Sequence, residues 1–209
     1  MTKRIGIAVL FLVILVACWV VHLYWAAGQF KTIEPHFSGK CKAVAGVAGP
    51  EDITIHPKTG VAFVSGCDRR AIQEGGAGGG AIFAYDLNAV TSEPVNLTPD
   101  ADRDFRPHGI SLFVGQSGDD VLFVINHQGG EHRIDVFDLK QEGLIHRETL
   151  TSPMLVSPND IVAVGPDRFY VTNDHRYPSG WKRTMEDYLR LRRSNVVFYD
   201  GSGFVQAAS

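Results

Sequence analysis

Three stretches of this chain repeat one pattern, and a repeat on this scale narrows the possible folds more than composition can. They are "GPEDITIHPKTGVAFVSGCD" from residue 49, "RPHGISLFVGQSGDDVLFVINHQ" from 106 and "SPNDIVAVGPDRFYVTNDH" from 157. Each reads proline, polar residue, Asp or Gly, Ile, a short strand, a turn, and a second strand ending in small or polar residues. The prolines are Pro50, Pro107 and Pro158, spaced 57 and 51 residues apart. A further strand with a shared ending follows each: "GAIFAYDL" near 80, "HRIDVFDL" near 132 and "SNVVFYDG" near 194. Units of roughly 40–50 residues with several strands each are the mark of propeller blades. Three hairpins of a β-sandwich are the alternative, but similarity at both ends of each unit favours an all-β propeller. The many glycines and prolines agree with short elements and frequent turns.

Propeller symmetry gives the polar positions a meaning, because equivalent positions of successive blades converge on one end of the central channel. The residue after each proline is Glu51, His108 or Asn159, and the next is Asp52, Gly109 or Asp160. Converging carboxylates and amides suit a hard cation such as Ca²⁺, which takes oxygen ligands. Cysteine is missing from these positions and histidine is in the minority, so zinc is less attractive. The second strands end in Gly66 and Cys67, Asn126 and His127, and Asn173 and Asp174. Hairpin geometry brings His127 near His108, and two imidazoles there can serve as a general-base pair. Taken singly, each residue has a plainer reading. Asn or Asp before a strand commonly caps a turn, and a lone histidine is commonly a hydrogen-bonded core residue. The glycine-rich "EGGAGGG" at 74–80 reads as a loop and lacks the signature of a phosphate-binding loop.

The N-terminus is a separate segment. Lys3 and Arg4 precede "IGIAVLFLVILVACWVV", seventeen residues without a charge, and "HLYWAAG" continues it. Residues 1–28 are predicted to be a signal-anchor or a signal peptide, with residues 5–27 in the membrane. A lipobox-like "LVAC" would instead lipidate Cys18. Positive charge on the short leading side puts the body, residues 29–209, outside the cytoplasm, either anchored or secreted. In an oxidising compartment Cys41 and Cys67 could pair with each other or await absent partners. A net charge of −3 carries no basic signature of a nucleic-acid binder.

The motifs "GPEDI", "PHGIS", "NH" at 126–127, "NDIVAVGP" at 159–166 and "FYVTNDH" at 169–175 resemble the serum paraoxonase/arylesterase family in order and spacing. The resemblance runs from about Cys41 to the C-terminus. It implies a six-bladed β-propeller with two calcium ions, hydrolysing lactones and aryl esters, here truncated to about three to four blades. It implies that Glu51 and Asn159 bind a catalytic calcium, and that Asp52, Asp160 and the Ile110 carbonyl bind a structural one. His108 would activate water, supported by His127. The insert "RYPSGWKRTMEDYLRLRRS" would form a helix over the site entrance, and Trp181, Met185, Tyr188 and Leu189 have roughly helical spacing. The chain departs from the family pattern by stopping after the third repeat. Missing with the later blades are further calcium ligands and the cysteine that would pair with Cys41. The chain is thus expected to be a carboxylic-ester hydrolase or part of one, acting on a small-molecule lactone or ester. The alternatives are a non-catalytic membrane-tethered scaffold and a propeller like strictosidine synthase.

Overall fold

The computed structural model describes residues 2–76, 79–116 and 118–209. Met1 of the expected anchor, Ala77 and Gly78 of the glycine-rich loop, and Ser117 lie outside the described residues. The chain divides into two units, Met1–Ala43 and Val44–Ser209. In the first, α1 (Thr2–Ala26) is apolar on every face, as a helix surrounded by lipid is. Its length of about 37 Å exceeds the hydrocarbon thickness of a bilayer. It is long and apolar enough to cross a membrane, a test that a signal sequence near an N-terminus also passes. Gly28, at φ 76°, ends it in the left-handed conformation.

The second unit is mostly β, as the repeat predicts. It holds three four-stranded antiparallel sheets, each with its strands in chain order, which is the form of propeller blades. The first comprises β1 (Pro50–Ile55), β2 (Val61–Cys67), β3 (Gly80–Asp86) and β4 (Val95–Asn96). The second comprises β5 (Pro107–Phe113), β6 (Asp120–Asn126), β7 (Arg133–Lys140) and β8 (Gly143–Thr151). The third comprises β9 (Pro158–Gly165), β10 (Arg168–Asn173), β11 (Asn195–Tyr199) and β12 (Phe204–Ala208). Two short helices interrupt them, α2 (Arg69–Gln73) and the expected insert α3 (Gly180–Leu189). The predicted apolar face of α3 is exposed at Trp181, Met185, Tyr188 and Leu189, while Glu186 is the buried residue. Cys18, Cys41 and Cys67 are all free thiols, so no disulfide forms among the described residues.

The core lies between the sheets. Phe63 and Ile82 of the first blade pack with Ile110, Leu122 and Val124 of the second. Val121, Phe123 and Ile125 pack with Ile161, Phe169 and Val171 of the third. Because β6 is covered on both faces, it reads as a continuous apolar run, "VLFVI", rather than an alternation. Side chains also stitch neighbouring first strands together. Thr54 Oγ1 accepts from Leu112 N at 3.4 Å, and Ser111 Oγ accepts from Ala163 N at 3.0 Å. At the far end of the first two blades, buried His56 accepts Lys58 N at Nδ1, 3.1 Å away. Its Nε2–H then donates to Asp120 at 3.1 Å.

Candidate functional site

A β-bulge builds the site in every blade. Between Pro50 and Ile53, β1 advances three residues while β2 advances two, from Gly66 to Val64. The same slip occurs between Pro107 and Ile110 against Asn126 and Val124. In the third blade, Pro158 and Asp160 face the consecutive residues Asn173 and Thr172. One extra residue per blade re-aims the two side chains after each proline. Matched backbone bonds then fix the end of the second strand. Cys67 N donates to Gly49 O at 3.1 Å, His127 N to Arg106 O at 3.1 Å and Asp174 N to Ser157 O at 3.0 Å. Asn126 and Asn173 reinforce this, their Oδ1 atoms accepting Arg106 N at 3.0 Å and Ser157 N at 2.9 Å.

The residues that follow the three prolines form one row across the blades. His108 stands in the middle, buried, with Nδ1 hydrogen-bonded to Glu51 Oε2. Its Nε2 lies 3.2 Å from Asn159 Nδ2. An ionised carboxylate only accepts and an amide nitrogen only donates. This bonding assigns the His108 proton to Nδ1 and leaves Nε2 with its lone pair. Glu51 Oε2 also pairs with Arg69, the first residue of α2. That helix is capped by Asp68, whose Oδ1 accepts Ala71 N at 3.0 Å.

The next position divides differently. Asp52 and Asp160 each accept the following backbone N–H, from Ile53 at 2.7 Å and Ile161 at 2.8 Å. Asp52 also reaches across the blade boundary, its Oδ2 accepting Ile110 N at 2.8 Å. Gly109, between them in the series, is required by packing. A Cβ there would stand 2.6 Å from Asn159 O and 2.9 Å from Asp160 Cα, both backbone atoms.

His127 lies beside His108, with ring centroids 5.0 Å apart. Burial pushes the His127 pKa down to about 3, and the closeness of the His108 and His132 rings works in the same direction. His132 is held low by burial and the nearby Arg183, against the pull of Asp174. Asp174 accepts from Ser157 Oγ, and His175 Nε2 sits 2.7 Å from Asp187 Oδ1. His175 Nδ1 lies 2.8 Å from Asp174 Oδ1, close enough for an ion pair but poorly aligned for a hydrogen bond. Burial opposes protonation of His175, yet Asp187 and Asp174 outweigh it and raise its pKa. A cavity of about 220 Å³ opens at His108, lined also by Cys67, Arg69, Ile72, Arg106 and His127. A larger one of about 410 Å³, lined by Asp135, His146 and Thr149 among others, includes neither His108 nor His127.

All seven predicted site residues except His127 thus lie on the three bulged strands, and Glu51, His108 and Asn159 touch in sequence. Among the described residues, no group of three or more His, Cys, Asp or Glu side chains is arranged to hold a metal ion. Arg69 and His132 went unforeseen. The signal for His132 was the Gly129–Gly130 pair between it and His127, where two left-handed residues (φ 65° and 79°) fold the chain back.

Sheets of this form, consistent with propeller blades, carry histidine, carboxylate and amide side chains at matched bulges and so make a polar site where their first strands meet. The chain belongs to the arylesterase family, whose family model matches residues 30–209. It is 36% identical to serum paraoxonase/arylesterase 1 of Mus musculus over 179 residues, 81% of this chain and 50% of that protein. It is likewise 36% identical to serum paraoxonase/arylesterase 2 of Bos taurus over 171 residues, 76% of this chain and 47% of that protein. The identity with serum paraoxonase/arylesterase 1 of Homo sapiens is 34% over 181 residues, 82% and 51% of the two chains. The chain spans about half the length of the curated relatives it matches.

Proposed function

We propose that the protein hydrolyses carboxylic esters and lactones with His108 as general base, supported by His127, in a calcium-dependent site. The observation that carries this reading is the His108 ring held between Glu51 and Asn159 on the wall of a cavity. Glu51 accepts a hydrogen bond from Nδ1–H, which orients the ring and stabilises the imidazolium formed when Nε2 accepts a proton from water. A water must displace the weak contact from Asn159 to reach Nε2. Arg69 and Arg106 also line the cavity and would offer positive charge to the ester oxygens. The neighbouring His127, kept neutral by its burial, would support His108 by orienting it and not by taking up the proton itself.

The donor chemistry fits calcium. Glu51 and Asn159 flank His108 and carry a carboxylate and an amide oxygen, and Asp52, Asp160 and the Ile110 carbonyl add oxygens of the kind Ca²⁺ takes. Glu51 and Asn159 would hold a catalytic ion, and the other three a structural one. When bound, calcium would polarise the ester carbonyl and stabilise the developing negative oxygen. The apolar α1, with Lys3 and Arg4 on its short side, supports an anchor or signal with the remaining chain outside the cytoplasm.

The test is hydrolysis of phenyl acetate and a δ-lactone by the full chain in detergent, with calcium and with chelator. Activity should require calcium. The His108→Gln variant should lose roughly 10²–10⁴-fold in rate while calorimetric calcium binding persists. Near-normal rates in that variant would show His108 to be structural, and no hydrolysis by the parent chain would overturn the assignment of activity.

A further inference from the structure

We propose that His132 is a positioning residue for His127, fixing its ring orientation and tautomer so that Nε2 is the nitrogen offered to His108. This rests on the hydrolase reading and adds to it a third histidine. The Nδ1 atoms of His127 and His132 stand 2.8 Å apart. Their rings meet edge to face, with centroids at 4.8 Å. An approach this short between two imidazole nitrogens is a hydrogen bond only if one carries a proton and the other a lone pair. Two imidazolium rings could not meet this way, and burial keeps both groups from charging.

The backbone builds the contact deliberately. His127 is tied by its N–H to Arg106 O, and it precedes a single 3-10 turn, Gln128–Gly130. Gly129 and Gly130 then take left-handed φ values that side chains resist. Gly129 N is held by Asp104 Oδ2 at 2.6 Å. The returning chain delivers His132 beside His127 before β7 begins at Arg133. With Nδ1 committed to His132, Nε2 is the His127 nitrogen that remains. The His108 ring, in contact with Glu51 and Asn159, is the other ring neighbour of His127, with centroids 5.0 Å apart. Orienting a functional histidine through the hydrogen bond of its other nitrogen is a general device.

The experiment uses the full chain in detergent micelles, labelled with ¹⁵N-histidine, and reads ring tautomers by long-range proton–nitrogen NMR. The parent chain should show one His127 tautomer with a hydrogen-bonded Nδ1, assigned by its loss in His127→Gln. His132→Ala should convert His127 to an averaged mixture of tautomers. The same variant should lower kcat for phenyl acetate about tenfold with KM little changed, and added imidazole should restore it in part. His132→Gln, which keeps a hydrogen-bonding group, should fall between parent and His132→Ala. A His127 tautomer unaffected by His132→Ala overturns the proposal, and so does an altered tautomer with kcat intact. If the parent chain hydrolyses nothing, the hydrolase reading fails, and the NMR spectra alone decide whether His132 fixes His127.

Discussion

Ile53, Ile110 and Ile161 occupy the same place in three blades, yet Ile53 is 58% exposed while Ile110 and Ile161 are 3% and 4% exposed. The second blade has a sheet against each face, whereas β1 turns Ile53 and Ile55 outward and β9 turns Val162 and Val164 outward. The side chain is the same at all three places, so its own sheet does not bury it. The preceding blade does. Burial in this architecture belongs to the interface between blades, as in other repeat proteins, where neighbours supply much of the stability.

Truncation is the severest way to probe this contrast. Phe123→Ala removes a ring that packs on Phe169 across the second interface, and should cost about 3–5 kcal/mol. Ile53→Ala, on the open flank, should cost less than about 1 kcal/mol. Urea unfolding followed by circular dichroism separates the two, and equal losses would erase the distinction between covered and open flanks. Gly109→Ala is a subtler probe of the same boundary. Its Cβ would press on backbone atoms of β9, so a loss of about 1–3 kcal/mol is expected without any buried apolar group being removed. Ser111→Ala should cost about 1 kcal/mol, because Ala163 N loses its acceptor. The equivalent residue Val162 faces outward, and Val162→Thr should stay within about 0.5 kcal/mol of the parent.

The smallest effect concerns the third blade and pH. Because Asp187 and Asp174 raise the folded-state pKa of His175, the protonated ring binds more tightly in the folded state. The resulting stability is fully present below the unfolded-state value near 6.5 and is lost as pH rises through the raised folded value. His175→Gln should flatten this slope in pH-dependent melting, and an unchanged slope would remove His175 from the account.

Three strands of each blade and the row Glu51–His108–Asn159 were legible because repetition made distant residues spatially equivalent. The fourth strands were not. β4 spans only Val95–Asn96, and "GLIHRETLT" of β8 is largely exposed and carries no strict alternation. Arg69 escaped notice because its reach to Glu51 depends on the one short helix that follows β2. For His132 the obstacle was the handedness of two glycines, a conformational fact that residue types alone only hint at. The apolar spacing of α3 predicted the helix correctly, and the residue the helix buries is Glu186, whose carboxylate accepts Arg176 N at 3.2 Å.

The bulge in each first strand has a consequence for how such proteins change over time. By adding one residue, it assigns two neighbouring positions to separate tasks. The position after the proline meets its counterparts in adjacent blades, as Glu51, His108 and Asn159 do. The one after that serves assembly, as Asp52 does in gripping Ile110 N and Gly109 does in admitting β9. A mutation at the first can swap an acid for a base or an amide while the joint beside it stays intact. Blades could therefore duplicate first and diverge in chemistry later, one position at a time, without renegotiating the contacts that hold neighbouring sheets together.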